Sequence, residues 1–227
     1  MSYIGRKPTN AALTASDIAD DIVTLAKMAG GTDGNIITYD ASGDPVAVAT
    51  GSDGQVLTST GAGSPPAFEA AAGITAAQQW RLTSDFDGSA TITSNLEAAD
   101  TLGAGEIGSA MTESSGVFTF PSTGIWLIQY TIVWRGNSDS DVAYAGGQIT
   151  VTSDNSNYAG VSTGYNGCNN HGANYYMTST MHHVFDVTDT GQCKVKFNAS
   201  TSISGLTCVG NTGENYTTMM FVRLGDT

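Results

Sequence analysis

The sequence predicts an all-β protein whose C-terminal part is a β-sandwich or jelly roll. Glycine is abundant, with 28 residues in a chain of 227, and together with many Thr, Ser, Val and Ile residues it indicates short strands joined by turns. Charged residues make up only 13 % of the chain, about half of the roughly 25 % found in average proteins. Few ion pairs are therefore available, and we expect sheets and buried interfaces to provide the stability.

Residues 1–30 are predicted to form an extended peptide followed by a helix. The segment MSYIGRKPTN includes Pro8 and has no apolar periodicity. After it, apolar side chains recur at helical spacing, at Ile18, Ile22, Leu25, Ala26 and Ala29. Ser16 or Thr14 can cap the first turn, and Gly30 ends the helix. A helix of about three turns is marginal alone in water, so its apolar face needs a partner.

Residues 31–79 contain two tandem copies of a 20-residue repeat, followed by a linker of small residues. TDGNIITYDASGDPVA begins at Thr32, and SDGQVLTSTGAGSPPA begins at Ser52. Each copy carries one apolar pair between turn sequences, Ile36-Ile37 or Val56-Leu57. Two-stranded hairpins of this size are marginal in water, and two copies are too few for a monomeric solenoid. We therefore expect identical chains to wrap around one axis as a short trimeric shaft. The alternative is a flexible linker.

Residues 80–227 are predicted to form a series of consecutive β-strands. Runs with strand-like alternation, such as QWRLTSDF, GVFTFP, GIWLIQYTIVWRG and NYTTMMFVRLG, are separated by turn signals such as SDFDGS and VTDTGQ. About eight to ten strands in a segment of this length are typical of a sandwich or jelly roll. The segment is long enough to bury one full core.

One part of this region resembles a known family. In GVFTFPSTGIWLIQYTIVW, the residues Phe118, Phe120, Pro121, Gly124 and Trp126 resemble the pattern Phe-x-x-Pro-x-x-Gly-x-Tyr of the complement globular-head and tumour-necrosis-factor-like jelly rolls. Trp126 stands where that family usually has Tyr. The closing NYTTMMFVRLGD resembles the family's last strand, and HHVFDVTDTGQCKVKF resembles one of its hairpins. The family forms tight threefold trimers, so the resemblance implies a homotrimer with one sheet facing the axis.

The N-terminal segments look like the anchors and shafts of bacteriophage tail and head fibres. This resemblance implies a virion structural protein, made and assembled in the host cytoplasm, whose N-terminus binds other virion proteins. We expect the unpatterned first segment to make that contact, through Tyr3, Ile4, Arg6 and Lys7. The alternative is a capsid decoration or cement protein that has no host ligand.

Charge and hydropathy disfavour two classes of partner. The chain has 21 Asp and Glu against 8 Lys and Arg, and it lacks the basic cluster that nucleic-acid binding or an anionic membrane surface requires. No stretch approaches the roughly 20 apolar residues of a membrane span, and the first residues lack the apolar core of a secretory signal. We therefore expect no nucleic-acid partner and no membrane insertion.

Catalytic and cofactor motifs are not found in the sequence. No GxSxG elbow or phosphate loop is present, and the three cysteines, Cys168, Cys193 and Cys208, suggest neither a disulfide framework nor a zinc site. His182 and His183 are neighbours and must point to opposite faces of a strand. We expect no enzymatic activity, no cofactor and no metal, and we disfavour a hydrolytic spike.

The remaining candidate is a binding surface in residues 155–176, which we interpret as a long loop. This stretch contains four tyrosines and six asparagines, and Asp, Glu, Lys and Arg are absent from it. Tyr provides rigid contact area and Asn provides adaptable hydrogen bonds. We predict that a host surface glycan or protein is contacted by four residues, Tyr165, Asn169, Asn170 and His171.

Overall fold

The structure is a computed structural model that describes residues 30–71, 73–136, 141–169 and 175–227. The predicted helix and the four anchor residues Tyr3, Ile4, Arg6 and Lys7 lie outside these residues. The described part of the chain consists of strands, turns and loops, and it contains no helix long and apolar enough to span a membrane. Backbone contacts divide the chain into two units, Met1–Ala72 and Gly73–Thr227.

The first unit contains two short β-hairpins, one for each copy of the repeat. The strands are β1 (Ile36–Tyr39), β2 (Pro45–Val48), β3 (Gln55–Thr58) and β4 (Ala67–Ala70). Each hairpin follows an Asp-Gly turn whose glycine has a positive φ, 77° at Gly34 and 82° at Gly54, which glycine adopts without steric cost. The repeated Asp-Gly therefore makes the same turn in both copies.

The two hairpins pair their strands in different registers. In the first hairpin Ile36 lies opposite Val48. In the second, Leu57 lies opposite Phe68 and Val56 lies opposite Glu69. Because Val56 is the counterpart of Ile36 in the 20-residue repeat, the second hairpin is shifted by one residue, and a shift of one residue moves side chains to the other face of the strand.

The second unit contains the other strands: β5 (Ala77–Leu82), β6 (Phe86–Asp87), β7 (Ala90–Thr91), β8 (Leu96–Ala98), β9 (Thr112–Ser114), β10 (Val117–Thr119), β11 (Gly124–Gly136), β12 (Val142–Thr152), β13 (Ala159–Cys168), β14 (Tyr175–Val187), β15 (Lys194–Thr201), β16 (Thr207–Cys208) and β17 (Thr218–Gly225). The sequence predicts a linker that ends near Gln79, whereas β5 begins at Ala77, because Ala77, Gln78 and Gln79 pair with β17.

These strands form two antiparallel sheets. The β11 sheet has the order β8-β5-β17-β11-β14, with the short β16 and β6 beside the end of β11. The β12 sheet has the order β9-β10-β15-β12-β13, with β7 also pairing with β15. Among the long strands, the chain crosses between the sheets from β11 to β12, from β13 to β14 and from β14 to β15, and it also crosses at the connection from β10 to β11. The short strands β6, β7, β8 and β9 alternate between the sheets, and the chain returns to the β11 sheet from β15 to β16. The predicted all-β jelly roll is therefore confirmed for this unit.

The core lies between the two sheets and is rich in aromatic rings. Phe118 is fully buried at its centre, and its ring centroid lies 5.2 Å from that of Trp80 and 5.5 Å from that of Phe197. Phe120 packs against Trp126 at 5.2 Å. Edge-to-face and tilted aromatic pairs of this kind contribute beyond their buried area. The aromatic residues that carried the sequence resemblance are therefore core residues.

Gly124 begins β11 in a conformation that other residues avoid. Its φ is 135°, and a Cβ atom at this position would lie 2.5 Å from the carbonyl oxygen of Gly225 and 2.6 Å from Nε of Arg223. Glycine is therefore required at this position, where the backbone of Gly225 and the side chain of Arg223 leave no room for a Cβ atom.

Candidate functional site

The described residues of the predicted binding segment 155–176 belong mainly to strands and do not form one long loop. Residues Ala159–Cys168 form β13, the edge strand of the β12 sheet, and β14 begins at Tyr175. Tyr165 lies on β13 and is 49 % exposed, and Asn169 follows the strand and is also exposed. Asn170 and His171 lie outside the described residues. The interpretation as a loop was wrong because the many glycines and asparagines of this stretch disguise its pairing with β12.

Glycine in β13 leaves room for neighbouring side chains. A Cβ atom at Gly160 would lie 2.4 Å from Nε2 of Gln148, which is on β12.

The turn that joins β12 to β13 is fixed by the carboxylate of Asp154, which accepts hydrogen bonds from the backbone N–H and the side-chain amide of Asn157. These hydrogen bonds hold the pKa of Asp154 well below its usual range.

Tyr165 is half of an exposed aromatic pair. Its ring centroid lies 5.1 Å from that of Tyr144 on β12, and the two rings are inclined by 57°. Tyr144 is 41 % exposed. Directly opposite Tyr165 in the ladder is Gly146, where a Cβ atom would lie 2.8 Å from Cδ1 of Tyr165. Tyr144 is not among the residues predicted from the sequence, because its proximity to Tyr165 depends on a strand register with two irregularities.

The outward face of the β11 sheet carries two rows of side chains without charge. One row crosses four strands through Val184, Leu127, Val222 and Ala77. The next row crosses them through His182, Gln129, Met220 and Gln79. Val184 is 54 % exposed, and Met220 is 38 % exposed. The opposite face of β11 is turned to the core, where Trp126, Ile128 and Tyr130 are buried.

Beyond these rows, hydroxyl groups and a covered cation continue the same face. Thr131 and Thr180 share a hydrogen bond of 3.0 Å between their hydroxyls. Thr218 lies opposite Thr131 on the next strand. Arg81, which lies opposite Thr218 on β5, is buried beneath Glu97 and Asp100. The positive charge of Arg81 is therefore neutralised within the chain.

The two neighbouring histidines occupy different environments, as predicted. His182 is exposed on the outward face of β14, and His183 is half-buried with its ring centroid 6.0 Å from that of Phe185. Burial lowers the pKa of His183. Within the described residues, no three His, Cys, Asp or Glu side chains are grouped as metal ligands would be.

The cysteines of the described part are free thiols. Cys193 and Cys208 are fully buried, and Cys168 is half-buried at the end of β13. Burial raises the pKa of the Cys208 thiol to about 12. Since a thiolate is the reactive form, Cys208 fills space in the core and is not a nucleophile at neutral pH.

In the first unit, apolar side chains are exposed on both faces of a hairpin. Ile36 is 38 % exposed, and Ile37, which points to the opposite face, is 60 % exposed. An open groove of about 380 Å³ runs between the hairpins. It is lined by Val46, Val48, Pro65, Pro66 and Phe68, among others.

No protein-family model matches the chain, and no curated protein sequence matches it significantly. Among solved structures, murine APRIL at pH 5.0 matches with a TM-score of 0.48 and 9 % identity, over 66 % of this chain and 98 % of APRIL. Eiger TNF from S. frugiperda matches with a TM-score of 0.49 and 10 % identity, over 66 % of this chain and 93 % of its own. At these values, neither structure indicates what this chain binds.

Proposed function

We propose that this chain is a bacteriophage virion structural protein, a short homotrimeric fibre anchored by its N-terminus with the jelly roll as its host-facing tip. The observation that supports this proposal best is the pair of neighbouring rows on the outward face of the β11 sheet, through Leu127 and through Gln129, that contain no Asp, Glu, Lys or Arg. A monomeric protein seldom exposes a flat patch that combines apolar side chains with a lack of charge, and such a patch is typical of an interface.

The overall charge makes the position of this face important. Each chain carries a net charge of −13, so three chains repel one another unless their contacts exclude the acidic groups. The rows through Leu127 and Gln129 contain no acidic group, and Val184 and Met220 give them apolar area to bury. Three chains that meet at this face would keep most carboxylates at the periphery.

The hairpins of the first unit support the same arrangement. An isolated hairpin with strands of four residues is marginal in water. A single chain leaves both Ile36 and Ile37 exposed. A second copy of the chain would cover these side chains and fill the groove beside Phe68. The repeated segment then forms two levels of a trimeric shaft.

The attachment ends are assigned from the sequence. Tyr3, Ile4, Arg6 and Lys7 would bind a virion protein, and the β12 sheet would remain available for the host. If particles bound the chain but host cells did not, the protein would instead be a capsid decoration protein.

The first experiment is a mass measurement by light scattering at micromolar concentration. The proposal expects about three times the monomer mass of 23.3 kDa. Val184→Glu should give a folded monomer because it places one carboxylate per chain in the contact. Val161→Glu is the matched control, since Val161 is an exposed valine of the other sheet. A monomeric wild type would contradict the proposal.

A further inference from the structure

The outward face of the β12 sheet combines an aromatic pair with a row of neutral hydrogen-bonding groups. Tyr144 and Tyr165 form the aromatic part, and both rings are partly exposed. Single exposed aromatic residues are ordinary, but two adjacent rings at 5.1 Å form a continuous apolar area that water must cover. Such a platform favours a ligand with an apolar face.

The polar row lies beside the rings on the same face. Side chains two residues apart on a strand share a face, so Thr163 lies beside Tyr165 on β13, and Gln148 lies beside Gly146 on β12. The ladder aligns Thr163, Gln148, Asn198 and Thr91 across four strands. The row is therefore continuous with the aromatic pair.

The amides of this row are already held in place. Gln148 donates from Nε2 to the hydroxyl of Thr163 at 3.0 Å, and Thr91 donates its hydroxyl proton to Oδ1 of Asn198 at 2.6 Å. Within the described residues these contacts leave Oε1 of Gln148 as an acceptor and Nδ2 of Asn198 as a donor for a ligand. Groups held in this way lose little entropy on binding.

The aromatic pair and the polar row contain no charged side chain, and the nearest outward residue along β15 is a lysine that is already engaged. None of the residues in the aromatic pair or the polar row is Asp, Glu, Lys or Arg. The next outward residue of β15 is Lys196, and its ammonium lies over the ring of Tyr158, 3.8 Å from the centroid. A charged ligand would find no opposite charge in the row and would have to lose its hydration without compensation.

We infer that this surface binds a neutral glycan, with the C–H face of a sugar ring on Tyr144 and Tyr165 and its hydroxyls on Gln148 and Asn198. Sugar rings present apolar C–H faces and a rim of hydroxyls, which match an aromatic platform beside amides. The inference rests on the proposed function because it names the ligand class of the tip. It adds Tyr144, Gln148 and Asn198 to the residues predicted from sequence.

The test is binding of the full-length protein to an array of neutral, sialylated and sulfated oligosaccharides. We expect binding to neutral oligosaccharides. Tyr144→Ala combined with Tyr165→Ala should reduce it by roughly tenfold or more, since a lost aromatic contact of about 1.4 kcal/mol corresponds to tenfold. Gln148→Ala should also weaken it. Tyr176→Ala is the matched control, because Tyr176 is an exposed tyrosine on the β11 sheet.

Four outcomes would overturn the inference. They are absence of binding to neutral oligosaccharides, binding only to the acidic ones, unchanged binding by the double variant, and a change of oligomeric mass in the double variant, which would make the surface an interface. A monomeric protein that binds neutral glycans through Tyr144 and Tyr165 would contradict the proposed trimer and support this inference.

Discussion

The guanidinium of Arg81 lies buried in the second unit, and its Nε donates a hydrogen bond of 2.8 Å to Oε1 of Glu97. Asp100 also accepts from this guanidinium. The ion pair between Arg81 and Glu97 joins β5 to β8. It lies at the end of the row formed by Thr180, Thr131 and Thr218. Since a buried cation requires partners, these carboxylates compensate the burial of Arg81.

Arg81→Met should therefore lower the free energy of unfolding by roughly 2 kcal/mol, because it removes charge-assisted hydrogen bonds from a buried site. Urea denaturation measures this loss. Arg135→Met is the control, since Arg135 and Asp85 form an ion pair in which both side chains are more than a third exposed. Its loss should stay below about 1 kcal/mol. Equal losses of unfolding free energy in the two variants would mean that the buried ion pair of Arg81 stabilises the fold no more than the exposed ion pair of Arg135.

Substitutions at two neighbours on β11 should have different effects. Ile128 is fully buried in the core, and Leu127 lies on the outward face. Ile128→Asp should prevent folding because it buries an unpartnered charge. Leu127→Asp should leave a folded chain that no longer forms the proposed trimer. Circular dichroism and light scattering together separate these results, and a trimeric Leu127→Asp variant would show that this face is not the interface.

Tyr130 should tolerate loss of its hydroxyl. The hydroxyl is buried and has no hydrogen-bond partner within the described part of the chain, and burial raises the pKa of Tyr130 well above its usual range. An unsatisfied buried polar group costs roughly 1–3 kcal/mol. Tyr130→Phe should therefore leave thermal stability unchanged or increase it. A clear decrease in the melting temperature would indicate a partner that this arrangement does not include.

Deletion of residues 1–12 tests the anchor. We expect the shortened protein to stay soluble and to form the same oligomer as the full chain, because the second unit has its own core. It should no longer be incorporated into particles, which immunoblotting of purified virions would detect. Substitution of Arg6 and Lys7 by Ala is a milder version, and normal incorporation of both variants would contradict the assignment of Tyr3, Ile4, Arg6 and Lys7 as the anchor.

The regular parts of the second unit could be predicted from the sequence because their side chains alternate. In β11, alternation separates Trp126, Ile128 and Tyr130 from Leu127 and Gln129, and the structure buries the first set. The strand β13 could not be predicted in the same way. Its glycines provide no apolar side chains to alternate, and it is held by its ladder with β12.

The aromatic pair depends on a relationship between strands that sequence does not contain. Tyr144 and Tyr165 are 21 positions apart in the chain, and the ladder shifts register twice between their strands. Composition predicted a neutral surface rich in tyrosine near Tyr165, but only the register identifies Tyr144, Gln148 and Asn198 as its neighbours. A similar limit applies to the repeat, whose hairpins were predictable and whose different registers were not.

The register difference between the hairpins also decides whether the two copies of the repeat are interchangeable. Phe68 occupies the repeat position of Val48, yet it shares a face with Leu57, whereas Val48 shares a face with Ile36. The second strand of the second hairpin therefore presents its repeat positions to the opposite face, relative to the first strand, from the one seen in the first hairpin. Exchanging β2 and β4 between the copies would put their apolar side chains on the wrong faces. The two copies are therefore not interchangeable in this arrangement, although they share the same 20-residue pattern.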